Sequence, residues 1–162
     1  MEYKILLSGD GGQGIQTLSQ LICQSAIKSG FNVSHIPNYG LEQRGGVSLA
    51  FIKISNKEIN YPKFSKADLI LILSDQARSR IKNYINSDND ILDILDFKQK
   101  LLENKISIFS YNVFFLSVIG KKLAGKKILD LKDLFVFLKS KLIKKPNWEQ
   151  NKQAWDFGQD NK

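Results

Sequence analysis

The sequence YKILLSGDGGQGI, at residues 3–15, joins an apolar strand pattern to a glycine-rich turn and then to a helix pattern. Gly9, Gly11 and Gly14 have the spacing G-x-G-x-x-G after a strand and before a helix, the context in which that spacing is informative. Backbone N–H groups at such a junction bind anions, so a phosphate-bearing ligand is the first hypothesis. The alternative is that the glycines only permit a tight turn and close packing of the helix on the strand.

The residues after this turn predict a β-α-β unit. Apolar residues keep helical spacing from Ile15 until Gly30 ends the helix, and residues 31–36 form a second strand pattern. We expect the two strands to be parallel and their crossover right-handed. Residues 47–54 predict a third strand, and the turn at 55–57 with a returning segment at 58–60 predicts a hairpin.

The aliphatic run at residues 69–73 is typical of a central strand that is buried on both faces of a parallel sheet. Weaker strand patterns lie at 91–95 and 106–109. The remaining segments predict helices at 75–84, 97–103, 113–123 and 131–144, and a terminal helix after Pro146. This alternation predicts a single α/β domain over residues 1–162, with an open, mostly parallel, Rossmann-like three-layer sheet, helices on both faces and a β-hairpin near residues 47–60.

The composition is that of a folded protein, with 43% hydrophobic and 25% charged residues. No apolar run reaches the roughly 18 residues that a membrane-spanning helix needs. The start at Met1-Glu2 runs directly into a strand and is unlike a signal peptide, so we expect a cytoplasmic protein. Cys23 is the single cysteine, which excludes an iron–sulfur cluster or a cysteine-based zinc site held by this chain alone.

The net charge of +8 raises the alternative of a nucleic-acid-binding protein. Nucleic-acid surfaces favour arginine, whereas this chain has only Arg44, Arg78 and Arg80. Most of the excess charge lies late in the chain, where lysines alternate with apolar residues as on the wet faces of amphipathic helices. We therefore expect first a solvated face, and second a docking surface for an acidic partner, from Lys121, Lys122, Lys126, Lys127, Lys139, Lys141, Lys144 and Lys145.

A second polar, glycine-rich segment, PNYGLEQRGG at residues 37–46, follows the second predicted strand. Ligands bind beyond the carboxyl ends of the strands in open α/β sheets, so both loops should emerge on one rim within reach of each other. Arg44 has the forked guanidinium that suits a phosphate or carboxylate, beside the amides of Gly45 and Gly46. The alternative for Arg44 is an ion pair with Glu42 or with a carboxylate across a subunit interface.

The sequence lacks residues that several common types of binding and catalytic site require. A nicotinamide dehydrogenase needs an acidic residue at the end of the second strand, where this chain has Ser34, His35 and Ile36. No Lys-Ser/Thr pair follows Gly14 to make a P-loop. His35 is the sole histidine, and we assign it a structural role. The acidic residues between 88 and 96 have no calcium-loop spacing, so we expect a solvated edge there.

Two separated motifs together resemble one family. Residues 9–15 resemble the G-x-G-G-Q-G-[IV] start, and residues 39–46 resemble the second signature, of the gamma subunit or domain of 2-oxoacid:ferredoxin oxidoreductases. That family includes the pyruvate, ketoisovalerate, 2-oxoglutarate and indolepyruvate enzymes. The likeness continues through Ala67-Asp68, through Asn112 at the start of a late helix, and through residues 151–158, so it covers nearly the whole chain.

The resemblance implies a gamma subunit that holds no cofactor and is inactive alone. The complex would oxidatively decarboxylate a 2-oxoacid to an acyl-CoA and pass electrons to ferredoxin, with thiamine diphosphate and iron–sulfur clusters on partner subunits and coenzyme A as co-substrate. It implies no catalytic residue or metal ligand in this chain. The residues expected to bind a ligand or contact a subunit are Gly9, Gly11, Gly12, Gln13, Gly14, Tyr39, Glu42, Gln43, Arg44, Gly45 and Gly46.

The chain departs from the family pattern at several points. The connection before Asn112 is shorter than usual, Leu41 replaces a common proline, and Gln43 stands where others have methionine or valine. The Gln-Arg-Gly-Gly form resembles the indolepyruvate branch, whereas Tyr39 and Glu42 resemble the pyruvate and oxoglutarate branches. The motifs therefore leave the substrate acid open, and a stand-alone nucleotide-binding module stays as the alternative function.

Overall fold

The computed structural model describes residues 1–39 and 46–161. Within these ranges one sheet has the strands β1 (Glu2–Asp10), β2 (Asn32–Asn38), β3 (Val47–Ser55), β4 (Leu69–Ile72) and β5 (Asp90–Asp93). The α-helices are α1 (Ile15–Lys28), α2 (Asp75–Arg80), α3 (Ile94–Glu103), α4 (Tyr111–Gly125), α5 (Leu131–Leu142) and α6 (Trp148–Asp160). Short 3₁₀ turns lie at Lys82–Tyr84 and Ile108–Ser110. In the described part of the chain, no helix is long and apolar enough to cross a membrane.

The sheet has the strand order β2-β3-β1-β4-β5. Strand β1 is parallel to β4, and β4 is parallel to β5, whereas β3 is antiparallel to both β1 and β2. Consequently β1, β2, β4 and β5 point in one direction, as the prediction of an open, mostly parallel sheet requires. Strands β1 and β2 are parallel but not adjacent, because β3 lies between them.

The predicted β-hairpin near residues 47–60 is wrong, because its second strand does not form. Strand β3 exists, but residues 58–60 form no strand. Both edges of β3 are occupied, since Ala50 pairs with Leu7 of β1 on one side and with Pro37 of β2 on the other. A returning segment therefore has no free edge of β3 to pair with.

Strand β4 has the predicted double burial, with all four of its residues buried between β1 and β5. The next helix begins as its sequence predicts, because the Ser74 hydroxyl accepts a hydrogen bond of 3.0 Å from the Ala77 amide. The strand predicted at 106–109 is wrong. That segment contains the 3₁₀ turn Ile108–Ser110, in which Ile108 and Phe109 are exposed.

Helices cover the two faces of the sheet unequally. One face of the sheet joins a large core with α1, α3, α4, α5 and α6. Its buried residues on that face are Tyr3, Ile5 and Leu7 of β1, Ala50, Ile52 and Ile54 of β3, and Leu69 and Leu71 of β4. The opposite face is covered by α2 and by the segments around residues 64–67 and 81–85. There the Phe51 ring lies 5.6 Å from the rings of Phe64 and Tyr84. This thin cover leaves the carboxyl edge of β1, β4 and β5 open beside α2 and α3.

Candidate functional site

The glycine turn connects β1 to α1 with geometry that only glycine satisfies easily. Gly12 and Gly14 have φ angles of 93° and 79°, the left-handed region that other residues rarely adopt. A Cβ on Gly14 would lie 2.4 Å from Nδ2 of Asn112, and one on Gly9 would lie 2.8 Å from Oε1 of Gln13. The turn is therefore packed tightly against its own Gln13 and against the start of α4.

The Gln13 side chain closes the turn from within. Its Oε1 accepts a hydrogen bond of 2.7 Å from the Asp10 amide, and its Nε2 donates to the Leu73 carbonyl over 3.3 Å. The Gln13 amide donates to the Asp10 carbonyl, and the Gly11 amide donates to the Gly46 carbonyl at 2.8 Å. The Gly11 and Gln13 amides are thus committed inside the chain, whereas the Gly12 and Gly14 amides make no hydrogen bond to a described residue.

The bond between Gly11 and Gly46 confirms that the glycine turn and the second loop meet on one rim. They meet because β1 and β3 are antiparallel partners, with Asp10 opposite Val47. Tyr39 lies at the other end of that loop and is 66% exposed. Four predicted site residues lie outside the described residues, namely Glu42, Gln43, Arg44 and Gly45.

A cavity of about 630 Å³ opens beside the glycine turn. It lies where the carboxyl ends of β1, β4 and β5 meet, the position at which open α/β sheets bind ligands and partners. Its walls come from the glycine turn, from the segment after β4, from α3 and from the start of α4. The lining residues are Asp10, Gly12, Gln13, Leu73, Ser74, Asp75, Gln76, Ile94, Leu95, Lys98, Ile108, Phe109, Tyr111 and Asn112.

Hydrogen-bonded acids stiffen one wall of this cavity. The Ser74 hydroxyl donates to Oδ1 of Asp10 over 2.7 Å, which ties the end of β1 to the start of α2. Arg78 donates three hydrogen bonds to Asp93, one of 2.9 Å from Nε and two of 2.6 and 2.8 Å from Nη2, and also pairs with Asp75. The hydrogen bond to Asp93 raises the pKa of Arg78, which stays charged. The cavity is lined by the carboxylates of Asp10 and Asp75 and by the ammonium group of Lys98, whereas Arg78 and Asp93 lie outside its lining.

The opposite wall is apolar and faces solvent. Leu95, Ile108 and Phe109, which we call the apolar rim, are 57%, 70% and 80% exposed. Large apolar side chains grouped around one opening typically mark an interaction surface. Sequence reasoning missed the apolar rim because it assigned residues 106–109 to a strand. It also missed Asp10 and Ser74, whose contact depends on a strand neighbour that the local pattern does not reveal.

The other reactive side chains lie away from this cavity. His35 is in β2 opposite Ile52, and its Nε2 is buried without a hydrogen-bond partner among the described residues. Burial lowers the pKa of His35 and raises that of the Cys23 thiol to about 12, so both favour their neutral forms. Among residues 1–39 and 46–161, no cluster of three or more His, Cys, Asp or Glu side chains is arranged to hold a metal.

The strand order also bears on dinucleotide binding. A dinucleotide spans the carboxyl ends of adjacent parallel strands, with its ribose held by an acid on the second strand. Here β3 separates β1 from β2, and Asn38 ends β2 without a carboxylate.

The late lysines lie on α4, α5 and the residues that follow, where Lys122 pairs with Asp90 at 2.8 Å. Neither the geometry of a dinucleotide site nor an arginine-rich groove is present in the described part of the chain.

Comparison with known proteins identifies a family. The model of the family "Pyruvate ferredoxin/flavodoxin oxidoreductase" matches residues 4–113. The 2-oxoglutarate synthase subunit KorC of Archaeoglobus fulgidus is 31% identical over 91 residues, which are 56% of this chain and 49% of that subunit. The indolepyruvate oxidoreductase subunit IorB of Pyrococcus horikoshii is 34% identical over 86 residues, 52% of this chain and 42% of that subunit. The chain thus aligns with about half the length of these relatives.

Solved structures share the fold. A keto/oxoacid ferredoxin oxidoreductase gamma subunit from Geobacter sulfurreducens superposes with a TM-score of 0.75 at 19% identity, over 98% of this chain and 94% of that one. A 2-oxoglutarate:ferredoxin oxidoreductase from Magnetococcus marinus, solved with 2-oxoglutarate, coenzyme A and succinyl-CoA, superposes with a TM-score of 0.79 at 19% identity. In that case the match covers 97% of this chain but only 30% of the other.

Proposed function

The chain belongs to the pyruvate ferredoxin/flavodoxin oxidoreductase family, and on that premise we propose that it is the gamma subunit of a 2-oxoacid:ferredoxin oxidoreductase. The observation that carries this proposal is the family match over residues 4–113, which includes both glycine motifs. The relatives named above are themselves subunits of 2-oxoacid enzymes. We propose further that residues 1–162 act as one gamma-type domain and that the complex works in the cytoplasm.

We propose that the complex decarboxylates a 2-oxoacid, transfers the acyl group to coenzyme A and passes two electrons to ferredoxin one at a time. Thiamine diphosphate and iron–sulfur clusters belong in this proposal to partner subunits. The single cysteine supports that division, since an iron–sulfur cluster needs several thiolate ligands and Cys23 is buried in the core.

For the predicted site residues, we propose subunit contact as the main role. Internal hydrogen bonds occupy the Gly11 and Gln13 amides, which are two of the donors that a phosphate cradle in this turn would use. The Asp10 carboxylate beside the turn also repels an anion. Arg44 is the proposed fork for a carboxylate of the partner subunit or for an anionic group of coenzyme A.

The test is reconstitution of the complex. This chain is co-expressed with the thiamine-diphosphate and iron–sulfur subunits from the same organism, and 2-oxoacid-dependent and CoA-dependent reduction of ferredoxin is measured. We expect activity only when this chain is present, and no activity from the chain alone. Full activity of the other subunits without it would contradict the proposal, as would micromolar binding of NAD by the isolated chain in calorimetry.

A pair of arginine variants tests the second loop in the same assay. We expect Arg44→Ala to weaken assembly or raise the KM for coenzyme A. Arg80→Ala is the matched control, because this exposed arginine lies on α2 and outside both loops. Equal assembly and turnover of the Arg44→Ala complex and the wild-type complex would remove Arg44 from the proposed site.

A further inference from the structure

We infer that the outer surface of α1 and α5 binds an acidic polypeptide segment that also carries aliphatic side chains. This surface, which we call the basic face, lies outside the lining of the cavity beside the glycine turn, so the inference is independent of the proposed function. Its members are exposed residues of the two helices and of the turn after α5. They are the lysines Lys28, Lys139, Lys141, Lys144 and Lys145 and the aliphatic residues Ile27, Val136 and Ile143.

Side-chain contacts hold α1 and α5 side by side in antiparallel directions. Nζ of Lys28 lies 2.8 Å from Oδ1 of Asp133, and Nζ of Lys141 donates a hydrogen bond of 2.8 Å to Oε1 of Gln20. The Lys28 ammonium group also lies 5.7 Å from the centre of the Phe137 ring. Because these contacts fix the two helices relative to each other, their exposed residues form one continuous surface.

The late lysines differ in their partners. On α4, Lys122 is paired with Asp90 at 2.8 Å, so its charge is balanced within the chain. On the basic face, Lys139, Lys144 and Lys145 form no ion pair with any residue that the structure describes. Their positive charges are therefore available to a partner.

The basic face also carries little negative charge of its own. Residues 11–41 and 134–148 contain no aspartate or glutamate. Asp133 lies within the surface but is already paired with a lysine of α1. At the margins, Asp130 caps the start of α5, and Glu149 lines a separate cleft beside α6. This excess of positive charge selects a partner that is acidic.

Exposed aliphatic side chains favour a polypeptide over a nucleic acid as that partner. Ile27, Val136 and Ile143 are 58%, 57% and 44% exposed, and they lie among the lysines. Apolar residues grouped on one surface typically mark an interaction site. A phosphate backbone gives such residues no apolar contact, and neither α1 nor α5 contains arginine, the residue that phosphate sites favour.

The basic face also differs from a membrane-binding helix. Such a helix places its lysines on one side and large side chains such as Trp, Phe and Leu on the other. Here the β-branched Ile27, Val136 and Ile143 share a surface with the lysines, whereas Leu134 and Leu138 of α5 are buried in the core. The partner segment should therefore carry carboxylates for the lysines and aliphatic side chains between them.

The test measures binding of two labelled peptides to the full chain by fluorescence anisotropy, at about 0.1 M salt. The first probe is a helical peptide of alternating glutamate-rich and leucine-rich turns. The second probe has the same glutamates but serine in place of every leucine. We expect the first probe to bind roughly tenfold more tightly than the second, because only the first covers the aliphatic residues.

Two double variants separate the charged from the apolar contribution. Lys139→Gln with Lys144→Gln should raise the Kd of both probes by roughly tenfold, since each lysine loses its carboxylate partner. Val136→Ala with Ile143→Ala should raise the Kd of the first probe to that of the second. Urea unfolding checks that both double variants remain folded.

Matched controls lie elsewhere on the chain. Lys63→Gln with Lys66→Gln removes the same charge from exposed lysines between β3 and β4. Leu102→Ala truncates an apolar side chain of α3 that is 60% exposed. Both controls should keep the wild-type Kd for each probe.

Several outcomes would overturn the inference and leave the proposed function untouched. Equal Kd values for the two probes would show that the aliphatic residues contribute nothing and that the basic face is only solvated. Tighter binding to a DNA duplex, or to vesicles that contain phosphatidylserine, would assign the surface to that partner instead. Self-association of the free chain that Lys139→Gln with Lys144→Gln abolishes would make it a contact between copies.

Discussion

Replacing Gly14 with alanine tests how tightly the glycine turn is fitted to α4. The φ of 79° at Gly14 costs an alanine about 1–2 kcal/mol. The new Cβ would also lie 2.4 Å from Nδ2 of Asn112. Moving that side chain away breaks its 2.8 Å hydrogen bond from the Val113 amide, worth about 0.5–1.5 kcal/mol. The free energy of unfolding should therefore fall by about 1.5–3.5 kcal/mol, which lowers Tm by roughly 5–10 °C.

Two control variants separate the backbone cost from the steric cost. Gly30 has a φ of 89° and open space around its missing Cβ, so Gly30→Ala should lose only the backbone cost of about 1–2 kcal/mol. In a double-mutant cycle with Asn112→Ala, the penalty of Gly14→Ala should shrink toward the Gly30→Ala value. The assay is urea unfolding followed by circular dichroism. Equal losses for Gly14→Ala and Gly30→Ala, with no coupling to Asn112, would refute close packing of the turn against α4.

Three further predictions concern the core. Gly158→Ala should destabilise the chain by about 2–4 kcal/mol in urea unfolding, because its Cβ would lie 2.8 Å from the Phe114 carbonyl oxygen and 2.7 Å from Cβ of Ser117; an unchanged midpoint would contradict this contact. Burial lowers the pKa of His35, so the folded state binds its proton less readily than the unfolded state does. The free energy of unfolding should thus be highest above the ordinary histidine pKa near 6.5 and should fall as pH drops through the lowered pKa. A His35→Gln variant should show a smaller change in the free energy of unfolding between pH 7 and pH 4. Burial raises the pKa of the Cys23 thiol, so Cys23 should react with iodoacetamide far more slowly in the native chain than in urea, and mass spectrometry can follow both rates.

The sequence was most informative where one local pattern has one physical meaning. Residues 69–73 predicted a doubly buried strand, which the structure has at Leu69–Ile72, and the helix predicted from residue 75 begins at Asp75. The glycines at 9–14 predicted a turn between a strand and a helix, and the structure has that turn, with positive φ at Gly12 and Gly14. At each of these points the chemistry of a few neighbouring residues determines the conformation without help from distant segments.

The errors arose where distant segments decide. Strand β3 carries apolar residues on both faces, which predicts that the strand is buried. The sequence of β3 alone does not reveal that its two neighbours are β1 and β2. The apolar residues at 106–109 predict a buried strand, because apolar side chains are usually buried in the core. Phe109 is instead 80% exposed. An exposed apolar side chain cannot be told from a core residue by the sequence pattern alone.

The position of β3 has a consequence for how the chain folds during synthesis. Among the strands of the described residues, β2 pairs with β3 alone, and β1 pairs with β3 and β4. The first two strands therefore leave the ribosome without a partner for either edge, and no sheet can form until residues 47–55 follow them. Such non-local pairing delays folding, because the intervening chain must close a loop before any strand contact is gained. A nascent chain halted before residue 47 therefore exposes the backbone hydrogen-bonding groups of β1 and β2 to solvent, which favours aggregation.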